Sequence, residues 1–263
     1  PENPELGLNI VNLTERLIQG GWLNLSGAWI NIDARLPSEN LSACLTLSHT
    51  GSDYSSEQCR PISEQWPSSN WQMDEIVWAS YLFQIDPFAE TGSYEATLSL
   101  QASQSEPFGE SISLGSVQVD ALGRQFEPAD PEERLEAQWE ELIFLEGYDL
   151  EISSESLAVS LHWYVPERVG KSYKFFVHLI NVHSGELAAQ IDYVPRDWTY
   201  PTNWWEAGEH VVDTAVLPLE NVGSGTYQLL VGIYDPDTGA RLLATASPGG
   251  NPVDALLLTE INR

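Results

Sequence analysis

Trp198 and Trp204 flank a short segment, with Asp197 and Asn203 as their immediate neighbours. Two indoles beside a carboxylate and an amide can stack on the C–H face of a sugar while the polar groups bond its hydroxyls. The same rings could instead cover a joint between modules or a partner surface. A second pair with chemistry is Cys44 and Cys59, the only cysteines of the chain. They close a short loop with no His/Cys cluster nearby, which reads as a disulfide rather than a metal site. The acidic run Asp235–Gly239 superficially has the look of a calcium loop. However, Ala240 stands where the sharp-turn glycine belongs, and no Glu follows at the twelfth position. A hairpin turn is expected there; no cofactor is expected, and a structural calcium ion held by other loop carboxylates is left open.

Catalytic signatures are missing from the sequence: there is no Gly-x-Ser-x-Gly elbow, no His-Glu-x-x-His and no glycine-rich phosphate loop. Neighbouring carboxylates such as Asp74–Glu75 or Glu140–Glu141 could serve a glycosidase. With 39 acids in the chain such neighbours are inevitable, so they carry no information. The five histidines have no ligand-pair spacing, and His49 and His183 read as turn residues.

The 39 acids stand against 11 Lys and Arg, a net charge of −28. Such a surface repels phosphate backbones and anionic lipid, which argues against nucleic acid or membrane-surface partners. No apolar run reaches the roughly 18 residues that span a bilayer, so no membrane insertion by this segment is expected. Asn12, Asn24 and Asn40 each open an Asn-x-Ser/Thr triplet, which with the cysteine pair suits an extracellular or cell-surface setting. The chain begins at Pro1 and its only Met is Met73, so it reads as a processed product or a piece of something longer.

The elements that must position these residues are repeated. Trp29 matches Trp163, Pro67 matches Pro201, Trp71 matches Trp205 and Glu75 matches Glu209, all at a spacing of 134. His49–Gly51 matches His183–Gly185 and Pro61 matches Pro195 in the same register; Tyr94 matches Tyr227 at 133. Two copies of one module are therefore expected, with Trp29, Trp71, Trp163 and Trp205 all buried. Trp66 and Tyr200 share a position and are expected to pack. Trp198 and Trp204 align with Glu64 and Asn70, so the module does not require them.

Within each copy, apolar residues alternate with polar ones, as in Leu23, Leu25, Gly27 and Trp29, or Leu157, Val159, Leu161 and Trp163. That period of two is the signature of half-buried strands. Leu8–Leu13 suits an edge strand, and strands are expected at Ile76–Ile85, Val211–Leu219, Leu114–Val119 and Leu256–Ile261. A Gly-x-Tyr opening at Tyr94 and Tyr227 suits a corner tyrosine, whose hydroxyl ties strand to loop. Short strands broken by Gly and Pro at roughly ten-residue spacing mean an all-β, antiparallel β-sandwich in each copy. A jelly-roll or Greek-key topology is favoured, with an immunoglobulin-like one as the alternative.

The modules are placed at residues 1–125 and 139–263. Between them, residues 126–138 contain two prolines and dense acids, eleven from Glu127 to Glu155 against the single base Arg134. This composition suggests an extended solvated connector with one helical turn after Pro131. The turn near Gly51 lies midway between the cysteines, so a hairpin there sets Cys44 opposite Cys59. The matching pair in the second copy would be His178 and Tyr193.

The second module resembles the extracytoplasmic β-sandwich domain at the C-terminal end of bacterial membrane glycosyltransferases of the dolichyl-phosphate-mannose mannosyltransferase type. The matching pieces are Leu142–Leu150, Leu161–Tyr164, Phe176–Leu179, Tyr200–Thr202, Trp205, Gly208–Glu209, Val212–Asp213, Gly225–Tyr227 and Gly232–Asp235. The first module is a divergent copy, with Asp74 before Glu75 where the second has Gly208. The resemblance implies a non-catalytic accessory domain and carries over no active-site residue. The functional expectation is accordingly a non-catalytic structural or interaction module of an exported protein, with protein partners or surface glycans. The alternative is a carbohydrate-binding module using Trp198 and Trp204.

Overall fold

The structure, a computed structural model, describes residues 6–32, 39–102, 107–246 and 250–263. The chain divides into two compact units, 1–122 and 123–263. In chain order the first unit has β1 (Leu6–Leu13), β2 (Arg16–Ile18), β3 (Trp22–Asn31), β4 (Ser42–His49), β5 (Ser55–Pro61), β6 (Ile76–Gln84), β7 (Gly92–Gln101) and β8 (Pro107–Asp120). The second has β9 (Glu133–Trp139), β10 (Ile143–Ile152), β11 (Ser156–Val165), β12 (Lys174–Asn181), β13 (Leu187–Tyr193), β14 (Glu209–Pro218), β15 (Thr226–Tyr234), β16 (Ala244–Ala246) and β17 (Leu256–Asn262).

In the first unit one sheet has the order β1-β3-β6 and the other β2-β8-β7-β4-β5. The short β2 runs parallel to β8, while the remaining pairs are antiparallel. In the second unit the orders are β14-β11-β10-β9-β16 and β13-β12-β15-β17. Both are β-sandwiches, as the alternation implied. The order of strands 1, 3 and 6 of the first unit against strands 8, 7, 4 and 5 is a Greek-key arrangement of the immunoglobulin-like kind, which lies within the favoured jelly-roll or Greek-key expectation. Strand alternation alone does not encode which strands cross between sheets, and jelly-roll and immunoglobulin-like topologies differ only there.

Each core is built on the repeated aromatics. Trp29, Trp71, Trp163 and Trp205 are all fully buried. Trp29 pairs across the sheet with Val77 as Trp163 does with Val211, so β3–β6 and β11–β14 share one register at the 134 spacing. The Trp71 indole donates to the Trp66 carbonyl (2.9 Å) and the Trp205 indole to the Tyr200 carbonyl (3.2 Å). Both corner tyrosines behave as expected: Tyr94 donates to the Glu90 carbonyl (2.6 Å) and Tyr227 to the Gly223 carbonyl (2.9 Å).

Three expectations fail in instructive ways. Residues 133–138 are no connector and hold no helical turn: they belong to β9, which pairs with β10 and β16. Ala137 and Trp139 of this strand are buried, and the Trp139 ring meets Trp163 edge-on at 5.4 Å, while the acids point outward. Charge density on the solvent side hid an alternating strand. Second, Cys44 and Cys59 are bonded and face each other as expected, but His178 faces Gln190, and Tyr193 faces Phe175. The β12–β13 hairpin is shifted, because its turn is closed by Asn181 rather than His183. Third, Trp66 is not packed inside; it is 45% exposed.

Candidate functional site

The connection from β13 to β14 holds all four residues singled out by sequence. It opens with a turn in which Arg196, Asp197 and Trp198 have φ of 53°, 52° and 66°. Three consecutive L-residues in the left-handed region are costly, about 1–2 kcal/mol each, so the surroundings must impose the turn. The Arg196 N–H donates to Asp213 Oδ1 (2.6 Å), Trp198 N–H to the Val194 carbonyl (2.9 Å) and Tyr200 N–H to the Pro195 carbonyl (3.0 Å). The Arg196 guanidinium also lies over the Tyr200 ring, 4.5 Å from its centroid. Burial raises the Asp213 carboxyl above the ordinary carboxylate range, against the opposing pull of the Arg196 N–H.

This turn presents Asp197 and Trp198 to solvent, and Trp198 is 56% exposed. One face of its ring receives the Lys174 ammonium at 4.7 Å. A single helical turn, Thr202–Trp204, follows. Its Thr202 hydroxyl accepts the Tyr173 N–H (2.9 Å) and donates to the Lys171 carbonyl (2.7 Å), pinning the loop to the segment that leads into β12. Asn203 is exposed, whereas Trp204 is half-buried, edge-on to Tyr200 at 6.5 Å. The two rings thus stand on one loop with different supports, Lys174 for one and Tyr200 for the other.

Beneath them lies Glu209, fully buried. It accepts the Tyr200 hydroxyl (2.7 Å) and the Glu206 N–H (2.9 Å), with Arg124 Nε at 3.4 Å. Burial, then the bond to Glu209, holds the Tyr200 phenol well above its ordinary pKa. Glu209 is therefore a support for the loop. The half-buried Glu75 repeats only part of this, accepting the Gln72 N–H at 2.8 Å.

Asp235 and Asp237 form the expected turn, closed by the Gly239 N–H on the Asp235 carbonyl (2.8 Å). Lys171 bridges their carboxylates at 2.6 and 3.0 Å, which offsets one of the two negative charges. Among the described residues no group of three or more His, Cys, Asp or Glu is placed to hold a metal ion.

The equivalent connection in the first unit, β5 to β6, forms a feature the sequence reading missed. A cleft of about 490 Å³ runs beside Trp78–Leu82 of β6, with Arg60, Ser63, Glu64 and Gln65 on its other wall. Along β6 the outward side chains Ile76, Trp78 and Leu82 are 68%, 59% and 53% exposed. The available signal was an apolar residue on both alternating phases from Ile76 to Phe83, an unusual pattern for a strand with one wet face.

No family model matches this chain, and no curated protein does. Among solved structures, the comparison returns the crystal structure of dimeric latent PorU from Porphyromonas gingivalis. The identity is 13%, the TM-score 0.25, and the match covers 93% of this chain. The chain spans about a fifth of the length of that one, with 20% of it covered. Among the described residues no helix is long and apolar enough to cross a membrane.

Proposed function

We propose that this chain is a non-catalytic interaction module of an exported or cell-surface protein. The observation that carries the reading is the outer side of β6: three large apolar side chains, each more than half exposed, in a strand free of charge. In a chain of net charge −28, such a surface marks a place where a partner removes apolar area from water. The Cys44–Cys59 disulfide is compatible with an oxidising compartment. A parent of the bacterial membrane glycosyltransferase type, implied by the resemblance of residues 139–261, belongs to the same proposal. The test is site-specific photo-crosslinking from exposed positions of the chain in the cells that produce it. Adducts with one defined partner are expected; hydrolysis of glycoside or peptide substrates by the purified chain would overturn the reading.

A second reading, weak glycan binding at Trp198, Trp204, Asp197 and Asn203, is favoured by the exposure of Trp198 beside Asp197 and Asn203. A glycan array followed by titration of wild type and Trp198→Ala separates it from the first.

A further inference from the structure

We infer that the outer edge of β6 is a docking site for an extended peptide segment of a partner protein, which adds to the sheet β1-β3-β6 as a fourth strand. This rests on reading the chain as an interaction module and names the site and the class of partner. Among the described residues β6 has one strand neighbour, β3. At its two ends the Glu75 carbonyl accepts the Asn31 N–H (3.2 Å), and the Ile85 N–H donates to the Gly21 carbonyl (2.9 Å). Odd-numbered residues thus turn their backbone groups toward β3. The register is unbroken between these ends. Ile76, Trp78, Ser80, Leu82 and Gln84 therefore turn their N–H and C=O groups to the other side. The Gln84 carbonyl is met there by the Gln58 side-chain amide at 2.5 Å. Trp78, Ser80 and Leu82 face the cleft.

The second unit shows what a closed edge looks like on the same scaffold. At the position of Ile76, the His210 N–H donates to the Gln125 carbonyl (2.8 Å). At the position of Ala79 stands the inward acid Asp213, holding the 195–198 turn against the strand through the Arg196 N–H. At the position of Gln84 stands Pro218, which has no N–H to offer. An inward charge, a proline and a covering loop are the devices that keep sheet edges from pairing. β6 has alanine, glutamine and a cleft in those places.

A row of backbone donors and acceptors is recognised by another backbone, and the side chains beside it select alternate residues. Trp78 and Leu82 call for apolar residues on one face of the incoming strand. Arg60 and Glu64, one charge of each sign, call for an uncharged stretch inside the cleft, and the net charge of −28 favours basic flanks. A second copy of the chain brings the same negative charge and is disfavoured as the occupant.

The probe is a capped heptapeptide alternating threonine and valine between terminal lysines, titrated into the isotope-labelled chain and followed by amide chemical shifts. Expected are shifts confined to residues 76–84 and 60–65, and slowed amide exchange at Trp78, Ser80 and Leu82. Trp78→Lys, at an exposed position, should weaken binding roughly ten-fold, and a peptide N-methylated at alternate positions should not bind. Three results overturn the inference: equal binding of the N-methylated peptide, shifts elsewhere, or no shift at millimolar peptide. Sedimentation showing dimers held through β6, or shifts at β6 with oligosaccharide but not peptide, would assign the edge to another occupant. If the peptide fails while photo-crosslinks to a partner persist elsewhere on the chain, the interaction reading stands and only this site falls.

Discussion

His49 and Asn181 close the same hairpin turn in the two units, each as the last residue of its strand. The His49 N–H donates to the Tyr54 carbonyl and the Asn181 N–H to the Glu186 carbonyl, both at 2.9 Å. His49 Nδ1 accepts the Gly51 N–H (3.2 Å), while Asn181 Oδ1 accepts the His183 N–H (2.9 Å). His49 lies opposite Tyr94 and Asn181 opposite Tyr227 in the neighbouring strand. The structural equivalence is thus 132 residues apart, and the matching His-x-Gly triplets are not equivalent.

The first prediction concerns that turn. A Cβ on Gly92 would lie 2.4 Å from His49 Nε2, at a φ of +145° that disfavours any L-residue. Gly92→Ala should therefore cost about 2 kcal/mol, and His49→Asn about 1 kcal/mol or less, because an acceptor for the turn is kept. In the double variant the steric part of the first cost disappears while the φ part remains. Urea denaturation of the four-member cycle measures this; strictly additive costs would refute it.

Glu209 and Glu75 occupy the same position but should respond differently. Glu209→Ala removes the buried acceptor of the Tyr200 hydroxyl and of the Glu206 N–H together with the carboxylate beside Arg124, at a cost of about 3 kcal/mol. Glu75→Ala loses one hydrogen bond at a half-buried site, about 1 kcal/mol. Comparable losses for the two would show that Glu209 is not the buried anchor of the 195–205 loop.

Asp213 should make stability depend on pH. Its folded pKa is raised by burial above the ordinary 3.8. The folded state therefore holds the proton more tightly than the unfolded one. The contribution is fully present below about pH 4 and is lost as pH rises through the raised value. Asp213→Asn keeps an acceptor for Arg196 and removes the titration. Its stability relative to wild type should increase as pH rises through that window, in denaturation curves at successive pH values. A pH-independent difference would defeat the assignment.

Trp198 and Trp204 should separate in stability. Trp198→Ala at an exposed position should change stability by no more than about 0.5 kcal/mol. Trp204→Ala removes a ring packed on Tyr200 and should cost about 1 kcal/mol. Thermal melts distinguish them, and equal large losses would make both rings packing residues.

Reduction of Cys44–Cys59, or its replacement by alanines, should lower stability by about 3 kcal/mol, the loop-entropy value for a closure of this length. Guanidinium titrations with and without reductant measure it; unchanged midpoints would refute it.

Local sequence pattern encodes most of the strands and the faces that they bury. Alternation is a local property of an extended backbone, and the Trp29–Trp163 and Trp71–Trp205 repeats mark the same core positions in both units. The corner tyrosines and the cysteine pairing were legible because each depends on contacts within one corner or one hairpin. Contacts between distant segments set the strand order, the use of Glu133–Trp139 as a sheet strand and the two-residue shift at Asn181. They also set the left-handed turn at Arg196–Trp198, which exists because Asp213, far along the chain, holds it. The open edge of β6 belongs to this second class. Whether a strand's outer hydrogen-bonding groups meet another strand, a loop or a cleft depends on sheet order, and no alternation within Ile76–Gln84 encodes it.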